Sequence, residues 1–517
     1  MFNYKDQIKY ILAFLVMLAA FQINFFNTSS DQQFKTWRDG SEALVLGKIL
    51  ADVHDIETGH SNMGFIAKHE VIKSADILAA YPRVDNPKST IIADLTDANW
   101  THGLSNFANT FILPLAATNK LGYATNEVID GQKFTDNEGI IRTITGVSLS
   151  GNYLTVTYSG PRMKQHGISP QIEIEEGRAY AYDPYPQQFG IQALAMSMAY
   201  KYLPFINSVS SLQLIMAAMM ALVLTLLIRE LEISLSPLFA IIFFACMVGS
   251  PWIVAISRNL YWASFLWFLP MLAAMRVYRY NPGSRERIIT IALYGAAIFM
   301  KCLAGYEYIS SIILMSLTIF MIEPFKAGSK TSTVQAMRTV IMMGAVGVAG
   351  FCLAVTIHSA NRADTFADGI TQTLGWDALK YSALGRFAGV ADSGPIVPLS
   401  LILNEYVTEW KTPVLFWLSN THTFITLLFL AFISIAAQLY TKNKNAKRDA
   451  ALLFVTALAP LSWLILMQKH SAVHVHLNYV LWYFGFIPAC VFVVARASSL
   501  LIRNMRSRGH FDRSKIV

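Results

Sequence analysis

The sequence has 517 residues, of which 54% are hydrophobic and only 14% are charged, and its formal net charge is +8. A soluble protein carries about a quarter charged residues, so this composition excludes an ordinary soluble domain. Many apolar runs have about 17 to 25 residues, enough to cross a hydrocarbon core of roughly 30 Å. The runs do not alternate with a period of two, so they predict membrane-spanning helices rather than strands.

The first apolar run, residues 11–26, follows Lys5 and Lys9. This pattern fits either a cleaved signal peptide or an uncleaved membrane anchor. Gln22 and Asn24 stand where a signal peptide needs small residues before its cleavage site. We therefore expect an uncleaved anchor.

The apolar runs together predict about ten transmembrane helices. They lie near residues 11–26, 209–228, 236–256, 261–278, 288–303, 308–323, 339–358, 421–440, 450–467 and 478–501. The four cysteines fall in or at the edge of these runs, so we expect small buried side chains rather than disulfides. They are Cys246, Cys302, Cys352 and Cys490.

The distribution of basic residues indicates the orientation of these helices, because cytoplasmic loops are enriched in Lys and Arg. With the N-terminus inside, every predicted inner segment is basic, and the C-terminal tail is basic as well. The long segment 27–205 carries 19 acidic and 14 basic residues. The sequence therefore predicts a bacterial inner-membrane protein with both termini in the cytoplasm. The net charge reflects orientation and gives no indication of nucleic-acid binding.

This orientation divides the chain into five segments. We expect a transmembrane anchor (1–26), a large periplasmic loop domain (27–205), transmembrane helices (206–358), a second periplasmic loop (359–420), and C-terminal helices with a basic tail (421–517).

Local patterns predict the structure of the large loop domain. They indicate a helix over 41–53, strands over 140–147 and 153–158 joined by a turn at 150–152, and a membrane-surface helix over 192–202. The predicted fold class is an all-α polytopic membrane bundle with a mixed α/β extracytoplasmic loop domain.

Ionisable side chains gather at the predicted outer ends of the helices, and one further candidate, Arg386, lies within the second periplasmic loop. Charges at membrane depth are unfavourable, so these groups are candidate functional residues, although any one alone could simply extend to the interface. Several on one face favour a shared polar site. The candidates are Asp31, Arg38, Asp39, Glu42, Arg258, Lys301, Glu307, Arg386, Lys469, His470, His474 and His476. The chain has no phosphate-binding Gly-rich loop, no HExxH and no GxSxG.

The histidines and one tryptophan have several interpretations. His470 and His474 are spaced to share a helical face and could ligate a divalent metal, but His476 is off that face and no carboxylate is adjacent. Binding of phosphate or sugar hydroxyls, or simple packing, is favoured over a metal site. Trp262, in the run NLYWASFLWFLP, fits a lipid-interface belt better than a sugar platform, but it could still stack on a sugar.

Two segments resemble a known family. The stretch WRDGSEALVLGKIL follows the first span and contains Asp39 and Glu42, while PYPQQFGIQALAMSMAYKYLP precedes the second span. Both segments, with the large loop between them, resemble the GT-C superfamily of membrane glycosyltransferases. Asp39 matches the family's acidic position, but Gly40 stands where an adjacent Asp-Glu pair is usual. The layout is similar to that of O-antigen-modifying glucosyltransferases.

The resemblance implies transfer of a sugar from a polyprenyl-phosphate donor to a cell-surface glycan or lipid acceptor. A carboxylate, Asp39 or Glu42, would act as general base on the acceptor hydroxyl. Cations would stabilise the departing phosphate, and Arg258, Lys301, Lys469 and His470 suit that role. Glu307, Arg386, His474 and Trp262 are the candidate substrate-binding residues.

Two alternatives stay open. An O-antigen polymerase or ligase would also act on lipid-linked sugars outside the cytoplasm. A lipid-linked sugar transporter or flippase is the non-enzyme alternative. Repeated halves and polar residues in mid-span are typical of transporters, and the sequence shows neither.

Overall fold

The computed structural model describes residues 4–30, 34, 41–53, 58–66, 90–91, 110–114, 133–135, 140–150, 153–160, 172–174, 182–378, 398–408, 414–416 and 423–513. Within these residues the protein is mostly helical and forms two compact units. The first comprises Met1–Trp37 with Gln213–Val517, and the second is Arg38–Leu212.

The first unit contains the apolar helices. They are α1 (Tyr4–Ile23), α4 (Val209–Ser234, which starts at the end of the second unit), α5 (Pro237–Gly249), α6 (Pro251–Ile256), α7 (Phe265–Arg279), α8 (Arg285–Ala304), α9 (Ile309–Ile322), α10 (Thr333–Arg362), α11 (Phe366–Ile370), α12 (Leu399–Thr408), α13 (Thr423–Tyr440), α14 (Ala446–Leu466), α15 (Gln468–Val473), α16 (Val475–Asn478) and α17 (Phe486–Arg513). The 3-10 segments Glu323–Phe325 and Tyr479–Phe484 and the π-helix Thr371–Ala378 complete the described elements.

Six of these helices, α4, α8, α10, α13, α14 and α17 over Phe486–Arg503, are long and apolar enough to cross a membrane. Three shorter apolar helices accompany them: Gln7–Ile23, Pro237–Gly249 and Ile309–Phe325. The described residues thus show six candidate spans, fewer than the ten predicted, and boundaries also differ: α10 extends beyond the predicted 339–358 at both ends. The protein is therefore a multi-pass membrane protein.

Serine residues begin several helices of this unit. Ser236, Ser250 and Ser284 each accept a backbone N–H three residues further on. Ser332 does the same and forms a reciprocal capping box with Gln335. Such caps satisfy N–H groups that have no partner within the helix, so the chain between spans specifies where each helix starts.

Glycine allows α8 and α10 to pack closely. A Cβ atom at Gly350 would lie 2.6 Å from the carbonyl oxygen of Gly295, and one at Gly295 would lie 2.9 Å from a methyl group of Val346. Small residues let helix backbones approach in this way inside membranes. Of the cysteines, three are buried as expected, but Cys352 is exposed on α10, contrary to the expectation of burial.

Ion pairs join one set of helix ends. Lys9, in α1, pairs with Glu232, in α4, at 2.6 Å. Arg279 at the end of α7 pairs with the buried Glu230 of α4 at 2.8 Å. Arg496 of α17 pairs with Asp449, near the start of α14, at 2.9 Å. The Lys9–Glu232 pair joins the N-terminal part of α1 to the C-terminal end of α4, as expected for consecutive spans that run in opposite directions.

The second unit combines helices and strands. Its helices are α2 (Glu42–Val53) and α3 (Ile191–Tyr202). Its strands are β1 (Gly64–Ile66), β2 (Thr90–Ile91), β3 (Thr110–Pro114), β4 (Lys133–Thr135), β5 (Ile141–Ser150), β6 (Tyr153–Ser159), β7 (Ile172–Ile174) and β8 (Tyr182–Pro184). β1 pairs with β8, and the remaining strands form an antiparallel sheet in the order β2-β7-β4-β5-β6-β3.

The strongest local predictions for this unit are confirmed. The two predicted strands are β5 and β6, paired in antiparallel register with Ser150 opposite Tyr153. Both predicted helices are present, and a polar cluster joins them: Asp52 of α2 accepts hydrogen bonds from Lys48 at 2.8 Å and from Ser197 of α3 at 2.5 Å.

Candidate functional site

A second set of helix ends in the first unit carries several of the predicted site residues. It comprises the C-terminal ends of α1, α8 and α14 and the N-terminal ends of α7 and α9. The loop 305–308 between α8 and α9 lies at its centre, with the sequence Gly-Tyr-Glu-Tyr.

Lys301 and Glu307 form the ionic part of this site. Lys301 lies in the last turn of α8, is 2% exposed, and donates a hydrogen bond to the Gly305 carbonyl oxygen. Its Nζ atom lies 3.9 Å from a carboxylate oxygen of Glu307. The other carboxylate oxygen accepts a hydrogen bond from the hydroxyl of Tyr261 at 3.3 Å. The buried Lys301 amino group is thus held beside a carboxyl group that also engages the chain following Arg258.

Arg258 is held against the end of α1. Its guanidinium lies 3.9 Å from the centre of the Phe34 ring, a cation–π contact. It also donates to the carbonyl oxygens of Gln22 at 3.3 Å and Phe34 at 3.4 Å. Asn259, which is buried, accepts from the backbone N–H of Tyr261 and Trp262 and so shapes the turn after Arg258.

Aromatic rings connect the Glu307 loop to the histidine segment. The Trp262 ring stacks on Tyr308 with centroids 5.9 Å apart, and Tyr308 meets Trp463 edge-on at 5.4 Å. Trp463 meets His470 at 5.5 Å, and the rings of His470 and His474 lie 4.6 Å apart. Trp262 is buried inside the unit, so the expectation that it belongs to a lipid-interface belt is wrong.

The remaining predicted residues lie away from the Lys301–Glu307 pair or outside the described part of the chain. Glu42 is buried in the first turn of α2, within the second unit. Lys469 is half-buried on α15. Among the described residues, no group of three or more His, Cys, Asp or Glu is arranged to hold a metal ion. The residues Asp31, Arg38, Asp39 and Arg386 and the side chain of His476 lie outside the described part of the chain.

Sequence reasoning missed the residues that organise the site. Tyr261, Tyr306 and Tyr308 are uncharged, so a search for ionisable groups at helix ends passed over them. Their common signal is position: all three lie within seven residues of Arg258, Lys301 or Glu307. A search for tyrosines beside interfacial charges would have found them.

Burial determines the charge of His470. Burial, together with a smaller effect of the neighbouring His474, lowers the pKa of this histidine from its ordinary value of 6.5 to about 3. The ring is therefore neutral near pH 7. Neutral histidine can donate or accept a hydrogen bond but provides no positive charge for a phosphate, so His470 in this structure does not provide the charge expected of a phosphate-binding residue.

The lowered pKa predicts a pH dependence of stability. Unfolded chains bind a proton at His470 below about pH 6.5, whereas the folded protein does not until about pH 3. Stability should therefore fall as pH decreases from 6.5. We expect His470→Gln, measured by thermal unfolding in detergent between pH 7.5 and 4.5, to lose less stability on acidification than the wild type.

The matched control for this measurement is His60→Gln, which removes an exposed histidine from the second unit. It should follow the wild-type pH profile. If His470→Gln also follows that profile, the folded protein binds a proton at His470 as readily as the unfolded chain does.

Comparison with known proteins gives no match: no family model, no curated protein and no solved structure matches this chain. The fold establishes its class, a multi-pass helical membrane protein with a cluster of buried ionic and aromatic side chains at one set of helix ends. The resemblance to the GT-C superfamily stays a prediction.

Proposed function

We propose that this protein is a membrane glycosyltransferase that moves a sugar from a polyprenyl-phosphate donor to a cell-surface glycan or lipid acceptor. The observation that carries the proposal is the pairing of Lys301 with Glu307 at the ends of two apolar helices. An ammonium that is 2% exposed at membrane depth is unfavourable unless it has a role or a strong partner. At 3.9 Å the Glu307 contact is at the long limit of an ion pair, which leaves Lys301 suited to an additional anionic ligand.

The proposed chemistry needs one base and one anion-stabilising cation. The acceptor hydroxyl attacks the anomeric carbon of the sugar, and the bond between that carbon and the phosphate oxygen breaks. The electron pair leaves with polyprenyl phosphate, and the hydroxyl proton passes to a carboxylate, for which Asp39 is the candidate. Lys301 and Arg258 stabilise the leaving phosphate, while Glu307 and Tyr261 orient the sugar or the acceptor.

The proposal includes a membrane orientation. About ten crossings of a bacterial inner membrane, with both termini in the cytoplasm, would place the Lys301–Glu307 end outside, where lipid-linked sugars are the available donors. The basic inner segments support this orientation, as does the separation of the two sets of joined helix ends.

Reporter fusions test the orientation. We expect fusions at Lys330 and Lys444 to give a cytoplasmic signal and a fusion at Asn137 to give a periplasmic signal. Alkaline phosphatase and a fluorescent protein that matures only in the cytoplasm provide complementary readouts. A cytoplasmic signal at Asn137 would place the loop domain on the other side and remove the basis for a lipid-linked donor.

Reconstituted protein tests the activity. Proteoliposomes should release polyprenyl phosphate from a member of a panel of synthetic polyprenyl-phosphate hexoses, in the presence of glycolipid extracted from the host membrane. Release of polyprenyl pyrophosphate from pyrophosphate-linked oligosaccharides would instead support the polymerase or ligase alternative. Movement of intact donor across the bilayer, without release of either lipid, would support a flippase and contradict the proposal.

A further inference from the structure

The loop 305–308 directs three consecutive side chains to three different partners. Tyr306 contacts α10, Glu307 contacts Lys301 and Tyr261, and Tyr308 packs among aromatic rings. The position of the Glu307 carboxylate therefore depends on the contacts made by its two neighbours.

The backbone on one side of Glu307 is strained. Tyr308 has φ +65° and ψ 12°, the left-handed region that bulky residues rarely adopt. Its ring is held by Trp262, Trp463 and an edge-on contact with Trp267 at 5.4 Å. Conformations of this kind persist only where surrounding packing imposes them, and they occur preferentially at functional sites.

Tyr306 holds the other side of Glu307. Its hydroxyl lies 3.0 Å from Nδ1 of His358, and the two rings stack with centroids 5.7 Å apart. Tyr306 also meets Phe351, about two helical turns before His358 on α10, edge-on at 5.8 Å. Burial raises the pKa of Tyr306, so its hydroxyl keeps its proton over the physiological range.

The partner His358 is itself firmly placed. It is buried near the end of α10. The following helix, α11, packs onto the next residue: a Cβ atom at Gly369 would overlap the carbonyl oxygen of Ser359, so only glycine permits this approach. Arg362 adds a hydrogen bond to Thr373 at 3.5 Å. The contact with Tyr306 thus ties the Glu307 loop to the last turns of α10, against which α11 packs closely.

We propose that Tyr306 and His358 are positioning residues that fix the Glu307 carboxylate relative to Lys301 during sugar transfer. The proposal rests on the proposed function of the Lys301–Glu307 site. It adds that α10 and α11 determine the geometry of that site without touching the substrate.

Removal of the Tyr306 hydroxyl tests the proposal. In Tyr306→Phe the ring contacts remain and the link to His358 is lost. We expect kcat to fall by roughly 10- to 100-fold with the donor KM nearly unchanged, because small misplacements of reacting groups have effects of this size. In a Glu307→Gln background the same change should have little further effect, because the carboxylate that it positions is already gone.

The matched control is Tyr294→Phe, on α8. It removes a buried hydroxyl, which lies 3.1 Å from the hydroxyl of Ser316. It should leave kcat close to that of the wild type. A purely structural role for Tyr306 predicts that kcat falls in Tyr294→Phe as much as in Tyr306→Phe, or that the kcat effect of Tyr306→Phe persists unchanged in the Glu307→Gln background. Either result would overturn the positioning role.

Hydrogen exchange separates this proposal from the proposed function. Amides in 305–308 should exchange at least several-fold faster in Tyr306→Phe than in the wild type, and at wild-type rates in Tyr294→Phe. If the wild type transfers no sugar from any donor, the proposed function fails. Faster amide exchange in Tyr306→Phe would then still support the conclusion that Tyr306 and His358 fix the loop 305–308. Unchanged exchange in Tyr306→Phe overturns the inference whatever the activity.

Discussion

Replacement of Asp39 by Asn should lower sugar transfer by roughly 10²–10⁴-fold, the usual contribution of a general base. Asp39 lies outside the described residues, so this prediction depends on its place in the sequence, a few residues after the first span. Asn keeps the oxygen that caps a helix but cannot take a proton. If Asp39 only capped α2, Asp39→Asn would transfer sugar almost normally. Transfer by proteoliposomes, normalised to folded protein, is the measurement.

Variants of two carboxylates on α2, Glu42 and Asp52, distinguish a specific role of Asp39 from a general effect on this segment. Glu42 is the competing candidate: an active Asp39→Asn with an inactive Glu42→Gln would move the role to Glu42. Asp52 is the matched structural control, because Lys48 and Ser197 engage both of its oxygens. Asp52→Asn should therefore reduce thermal stability without a specific loss of kcat. If both Asp39→Asn and Glu42→Gln are active, Asp31 becomes the next candidate.

Replacement of Lys301 by Gln should lower donor use by roughly 10- to 150-fold. Loss of a charge-assisted contact to the leaving phosphate is worth about 1.5–3 kcal/mol, and each 1.36 kcal/mol changes a rate tenfold. The loss should appear in kcat as well as in KM, because the negative charge on the phosphate grows as the sugar leaves. Steady-state kinetics with a synthetic polyprenyl-phosphate sugar would measure both.

In variants of the Lys301–Glu307 pair, a loss of stability must be distinguished from a loss of activity. Removal of one buried partner leaves the charge of the other uncompensated and so destabilises the protein. Glu307→Gln should destabilise the protein through the isolated Lys301, whereas the double variant Lys301→Gln/Glu307→Gln should recover stability. If the pair is only structural, the double variant should recover activity as well. If the pair binds substrate, the double variant should be stable and inactive.

Arg496→Gln is the matched control for this pair. It leaves Asp449, which is 2% exposed, without its arginine at the other set of helix ends. It should lose stability to an extent comparable with Glu307→Gln while keeping its kcat. An equal loss of kcat in Arg496→Gln would mean that the activity follows global stability rather than the Lys301–Glu307 contact.

The sequence by itself determined the class of the protein and most of its local structure. Membrane character and the positions of the helices follow from composition and run length, because an apolar stretch of about 20 residues has few stable alternatives to a helix in lipid. The hairpin of β5 and β6 and the helices α2 and α3 follow from short-range patterns, which act between residues close in the chain.

Only the tertiary structure decided which side chains meet at the helix ends. Lys301 and Glu307 are only six residues apart, so their proximity follows from the sequence. In contrast, the contact of Tyr306 with His358 joins residues 52 positions apart. The contact of Tyr308 with Trp463 spans a still longer part of the chain. The burial of Trp262 and the exposure of Cys352 likewise depend on which helix faces are covered by neighbours. The hydrophobic pattern of an apolar span is nearly uniform around the helix, so it indicates that a helix enters the membrane but contains little information about which face packs against which partner.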